Sequence, residues 1–109
     1  MNWQVKYLNE AAEDFDRLDG SQKILVRKAI RKTLQNPLPR SEGGYGIELG
    51  SKGGVNLINC LEIKLRGAGI RLIYKLIYTD TEMLVIVIGE REDEEVYDIA
   101  DERIKKYRI

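Results

Sequence analysis

Histidine is absent from all 109 residues. That removes the commonest general base and the commonest metal ligand, so any hydrolysis must be carried by Lys, Arg, Glu, Asp or Tyr. Cysteine is nearly absent: Cys60 stands alone, which excludes an internal disulfide and any multi-cysteine metal site, and it reads as a small buried hydrophobe. Net charge is absent too, with 18 Lys and Arg against 18 Asp and Glu, so total charge argues neither for nor against a nucleic-acid partner and only its distribution can speak. No apolar stretch approaches membrane-spanning length, and "MNWQVKYLNE" carries no apolar run behind a basic start. The expectation is a cytoplasmic protein with no membrane segment. The Gly-rich "GGYG" and "GSKGG" lack the Walker spacing and neither opens a helix after a clear strand, so they imply no nucleotide cofactor, and nothing else implies a metal or a small-molecule cofactor.

What is present fits a single domain over residues 1–109, without repeats, low-complexity segments or a linker. "WQVKYL", Trp3 to Leu8, alternates as a first strand does, and Asn9 is placed to cap a helix through about Leu18. Asp19-Gly20-Ser21 ends that helix and caps the next, which runs to Asn36 before "NPLP" stops it. Its inward stripe is Val26, Ala29, Ile30, Thr33 and Leu34. From Gln22 to Arg40 there are six cations and no anion, with Arg27 and Arg31 on the outward side; this is either a solvated face or a surface for nucleic-acid phosphates. "SEGGYGIELGSKGGVNLIN" reads as a loop with one short strand near Ile47 to Leu49. Leu61 to Arg66 alternates as a half-buried strand, Ile70 to Tyr78 returns, and "MLVIVIG" is apolar enough for a central strand. A final helix covers about Asp93 to Tyr107, acidic first and basic last, as its dipole prefers. The class is α+β: an N-terminal strand and a helical hairpin packed on a mostly antiparallel sheet, then a C-terminal helix, with the helices expected on one face of the sheet.

The hairpin "CLEIKLRGAGIRLIYKLIY" concentrates Lys64, Arg66, Arg71 and Lys75, with Glu62 among them. For Arg71 to share a face with Lys64 the turn must hold an even number of residues. A two-residue Ala68-Gly69 turn satisfies this, placing Arg66 opposite Arg71 and Lys64 opposite Ile73. Opposed cations destabilise a sheet, which suggests a bound anion as the compensation; the plain alternative is solvated surface charge.

"CLEIKLRGAGIRLIYKL", the apolar strand after it and "GEREDEEVYDIADERI" together resemble the RelE branch of the RelE/ParE superfamily of toxin–antitoxin toxins, and "FDRLDGSQKILVRKAI" fits the family's helical hairpin. The resemblance implies a small α+β domain folded like a microbial ribonuclease. It implies an endoribonuclease, or mRNA interferase, that cleaves messenger RNA in the ribosomal decoding site and is silenced by a cognate antitoxin; the ParE branch inhibits DNA gyrase instead. The family's strand-borne cations fall on Lys64 and Arg71, its post-strand arginine on Arg91 and its helix aromatic on Tyr97. Where close relatives carry a second lysine, this chain has Glu62, and Glu90 and Asp93 stand where relatives have further bases.

The retained residues suit metal-free RNA cleavage by the 2′-hydroxyl. Permanently charged guanidinium groups, Arg71 and Arg91, suit the charge that builds on phosphorus. Lys64 is a candidate for proton transfer, while Glu62 could pair with Lys64 or serve as the base itself. Tyr97 could stack on a base or pack the helix on the sheet. Arg66 and Lys75 are candidate RNA contacts. Trp3, Tyr7, Tyr45, Tyr74, Tyr78 and Tyr107 read as core or edge residues. Two rival functions remain: a ParE-like inhibitor, and a degenerate toxin that only binds its antitoxin.

Overall fold

The structure is a computed structural model that describes residues 2–52, 54–90 and 95–109. The elements run β1 (Gln4–Tyr7), α1 (Asn9–Asp16), α2 (Gly20–Leu34), a 3-10 turn (Arg40–Glu42), β2 (Ile47–Lys52), β3 (Val55–Leu65), β4 (Ile70–Ile77), β5 (Glu82–Glu90) and α3 (Glu95–Tyr107). They form one five-stranded sheet in the order β1-β5-β4-β3-β2, antiparallel except for β1 against β5. The α+β class and the mostly antiparallel sheet are as the sequence implies.

The local signals in the sequence hold in one place and fail in two. Asp19 caps α2: it accepts from the Gln22 amide at 2.8 Å while the Gln22 side chain accepts from the Asp19 amide, a reciprocal box. Asn9, in contrast, is the first helical residue, and Leu8 holds the capping position without any side-chain bond. The Gly-rich stretch is more ordered than its composition suggests. β2 extends to Lys52 and β3 begins at Val55, making a hairpin of segments without clean alternation, because a register shift between Glu48 and Gly50 breaks the period.

The core is made of β3, β4 and β5, with Leu72, Ile73, Met83, Val85 and Ile86 fully buried. Helices cover both faces, and not one as the order of elements suggests, because α3 packs on the side away from α2. The rung Leu61↔Tyr74 points one way, where the Tyr74 hydroxyl donates to the Pro37 carbonyl just after α2 at 2.7 Å. The adjacent rung Glu62↔Ile73 points the other way, and there α3 brings Tyr97 to Glu62.

β5 contains a bulge. Tyr74 opposes Val85 but Ile73 opposes Val87, so Ile86 is the extra residue and the strand turns its later polar groups outward. β1 has ended by then, at Tyr7↔Val85. The Ile86 carbonyl instead accepts from Arg103 Nη1 at 2.9 Å, and the Ile88 amide donates to Asp14 Oδ2 at 3.1 Å. Asp14 is buried, and Arg103 donates to its two oxygens at 2.7 and 3.3 Å, which locks α3 to α1 across the edge of β5. A second clasp lies further along α3. Glu10 accepts from Lys106 at 2.8 Å and from Tyr107 at 2.6 Å, and these two bonds pull its carboxyl down to a pKa of about 2.

Candidate active site

The site begins at the β3–β4 turn, which has four residues, Arg66 to Gly69, and not two. The Ala68 amide donates to the Leu65 carbonyl at 3.1 Å and the Gly69 amide to the Arg66 carbonyl at 3.3 Å. A two-residue hairpin turn of the common primed types needs positive φ at its first central residue, here Ala68, where a Cβ is penalised. The four-residue turn needs it only at Gly69, where φ is +66°. The parity expected from the sequence is preserved but the register moves: Lys64 faces Arg71 directly, Arg66 lies in the turn, and Lys75 faces Cys60.

Two opposed cations on neighbouring strands require compensation, and α3 supplies part of it. Tyr97, 5 % exposed, donates its hydroxyl proton to Glu62 Oε2 at 3.0 Å, and the hydroxyl oxygen accepts from Arg71 Nη1 at 2.8 Å. The Arg71 guanidinium carbon lies 5.2 Å from the Tyr97 ring centre, so the ring meets the cation as well as the hydroxyl does. Glu62 is 1 % exposed, with Oε1 at 3.8 Å from Lys64 Nζ. The Lys64 side chain keeps 30 % of its surface, which makes it the accessible end of this network. Arg71 Nε is buried and has no hydrogen-bond partner among the described residues.

Of the residues singled out in the sequence, four therefore meet: Glu62, Lys64, Arg71 and Tyr97. Arg91 lies outside the described residues. Arg66 is exposed in the adjoining turn. Lys75 lies further along β4, where it lines a separate cavity of about 650 Å³ with Asn59 and Tyr78. Arg27 and Arg31 are exposed on α2, and the Arg27 guanidinium sits 5.1 Å from the Phe15 ring centre. Cys60 is 2 % exposed, and burial pushes its thiol pKa up, in keeping with an interior hydrophobe. No group of three or more His, Cys, Asp or Glu arranged to hold a metal ion occurs among the described residues. No helix among them is long and apolar enough to cross a membrane.

Two residues near the site stand out in the sequence only as members of a cationic run. Lys32 and Arg40 line a cleft of about 440 Å³ that Lys64 and Arg66 also line.

No family model matches the chain. Among curated proteins, a RelE-like toxin protein of Escherichia coli is 31 % identical over 105 residues, covering 96 % of this chain and all of that one. The mRNA interferase toxin RelE of E. coli K12 is 29 % identical over 104 residues, covering 95 % and 99 %. Among solved structures, a free-state arginine-to-alanine double mutant of E. coli toxin RelE matches with a TM-score of 0.74 and 26 % identity, over 95 % of this chain and 99 % of that one. The same mutant bound to a peptide of antitoxin RelB matches with a TM-score of 0.66 and 25 % identity, over 92 % and 95 %. Coverage from end to end in both directions, in sequence and in fold, makes this chain a member of the RelE branch of the RelE/ParE toxin superfamily.

Proposed function

We propose that the protein is the toxin of a toxin–antitoxin pair, a ribosome-dependent endoribonuclease that cuts messenger RNA in the decoding site and is held inactive by a cognate antitoxin. The observation that carries this reading is the rung Lys64↔Arg71, two opposed cations that share the buried Glu62, Arg71 through Tyr97 and Lys64 directly, with the lysine partly exposed. Such a rung is costly for a sheet alone and useful for a phosphate.

In this reading the RNA 2′-hydroxyl attacks phosphorus and the bond to the 5′-oxygen breaks, leaving a 2′,3′-cyclic phosphate and a 5′-hydroxyl. Arg71 takes the charge on the non-bridging oxygens. Lys64 delivers a proton to the departing 5′-oxygen, and the 2′-hydroxyl proton leaves to water. Arg91 is a second phosphate donor on the strength of its position in the sequence. Of the two roles open to Glu62, the geometry supports the partner and not the base: one oxygen holds the Tyr97 proton, the other faces Lys64, and the side chain is 1 % exposed. Tyr97 acts by orienting Arg71, since its ring is buried against the guanidinium and has no open face for a nucleobase. The antitoxin covers Arg66, Arg71 or Lys75, or displaces α3 at Tyr97.

The test is induction of the protein without an antitoxin, followed by single-turnover cleavage on programmed ribosomes. Cut transcripts and rapid loss of translation are expected. DNA damage without cut transcripts would move the protein to the gyrase-inhibiting branch, and no effect on growth would make it a binding-only member.

A further inference from the structure

The cleft beside Lys64 is lined by Lys32, Arg40, Tyr45, Lys64 and Arg66, with apolar Ile47, Ile63 and Leu65 beneath, and no acidic residue among those described lines it. In a chain with equal numbers of acids and bases, four cations around about 440 Å³ with no acid in the wall call for an anion. Lys64 is the residue that the cleft and the site have in common. β2 begins its pairing at Ile47↔Glu62, so β3 runs past it and Lys64 stands at an uncovered edge, shared between the cleft and the Tyr97 network.

Tyr45 adds a second and different feature. The residue is 44 % exposed, and Lys32 Nζ lies 5.3 Å from its ring centre. The loop that presents it is fixed in shape: the Tyr45 amide donates to the Asn36 carbonyl at 3.0 Å, the Gly46 amide to that of Leu38 at 3.1 Å and the Arg40 amide to that of Gly46 at 2.8 Å. Gly44 is required there, because a Cβ would run into the Leu38 carbonyl. An exposed aromatic held rigidly among phosphate-binding cations is the composition of a single-stranded nucleic-acid site, where bases stack and the backbone follows the charge.

We propose that this cleft is a subsite for nucleotides flanking the scissile phosphate, with Lys32, Arg40 and Arg66 holding backbone phosphates and Tyr45 stacking a base. The assignment rests on the endoribonuclease reading for its biological meaning, though not for the binding itself.

The probe is a short unstructured RNA with 2′-O-methyl sugars, which cannot be cut by 2′-hydroxyl attack. Lys32→Gln with Arg40→Gln should weaken binding and flatten the dependence of log K on log salt by roughly 0.7 for each phosphate no longer neutralised. Tyr45→Ala should weaken binding about five- to hundredfold with the salt slope unchanged, and Tyr45→Phe should restore it. Unchanged affinity and slope in these variants, while Arg71→Ala lowers both, would overturn the subsite. An oligoglutamate peptide that binds as tightly, without dependence on Tyr45, would assign the cleft to an acidic protein segment and overturn it as well. Cleavage on ribosomes separates the two readings: a wild type that binds RNA through the cleft but cuts nothing keeps the subsite and removes the nuclease, whereas normal cutting by the cleft variants keeps the nuclease and removes the subsite.

Discussion

Tyr97 gives its only hydroxyl proton to Glu62 across 3.0 Å, and so its oxygen is free to accept Arg71 at 2.8 Å. The direction of that proton follows from Arg71, because a guanidinium can only donate and leaves the hydroxyl proton for Glu62. Glu62→Gln keeps an acceptor for the hydroxyl and removes the charge beside Lys64; Glu62→Ala removes both. We expect single-turnover cleavage to survive in Glu62→Gln and to fall about tenfold or more in Glu62→Ala, the scale of one hydrogen bond to a charged group. A collapse in Glu62→Gln would make the carboxylate the general base.

Arg71 is expected to matter to rate far more than to folding. Arg71→Ala should reduce cleavage by ~100-fold or more, as removal of one transition-state donor does, and Arg71→Lys should recover little, since an ammonium cannot reproduce a fork aimed at both Tyr97 and a phosphate. The check is single-turnover rate alongside the urea midpoint. A midpoint that falls in proportion to the rate would mean that Arg71 holds α3 in place and nothing more.

Asp14 is the position where stability is most exposed to a single change. Asp14→Ala leaves the Arg103 guanidinium and the Ile88 amide without their shared acceptor in a buried setting, and should lower unfolding free energy by roughly 3–5 kcal/mol. Urea denaturation measures it. A decrease below about 1 kcal/mol would show that water replaces the carboxylate at little cost.

The Glu10 clasp predicts a dependence on acid. Its carboxyl is depressed from the usual 4.5 to about 2 by Lys106 and Tyr107, so the clasp is at full strength above the usual value and is lost as pH falls through about 2. On the alkaline side Lys106 and Tyr107 are both raised from 10.5 and 10.0 by their bonds to Glu10, so the clasp persists to higher pH than either group alone would allow and then fails as they titrate. Glu10→Gln should therefore lower Tm at pH 7 and converge with wild type at the acid end. Parallel Tm curves for the two proteins across the acid range would disprove the linkage.

Features that depend on neighbours within a few positions are legible in the residues themselves: the Asp19 cap, the inward stripe of α2 and the even turn are present, and the strand expected over Leu61 to Arg66 runs to Leu65. Glu62 sits on the charged side of its strand by the same alternation, which says it should be solvated. It is buried because α3, over thirty residues later, lands on that side, and no local period carries such information. The β2–β3 hairpin is hidden in the sequence for a related reason: its pairing is set by partners across a bulge and not by its own glycine-rich composition. Lys64, Arg71 and Tyr97 follow from the family pattern, but that pattern does not say that Tyr97 bridges a buried acid to the arginine.

The bulge at Ile86 has a consequence for how the protein meets copies of itself. A sheet that ends its outer strand early leaves a template of free amides and carbonyls on which a strand from another molecule can grow. Here Arg103 and Asp14 take up the carbonyl of Ile86 and the amide of Ile88 as two further residues of β1 would have done. A pair of side chains thus covers this stretch of the β5 edge, where a strand from another molecule would find both groups already paired.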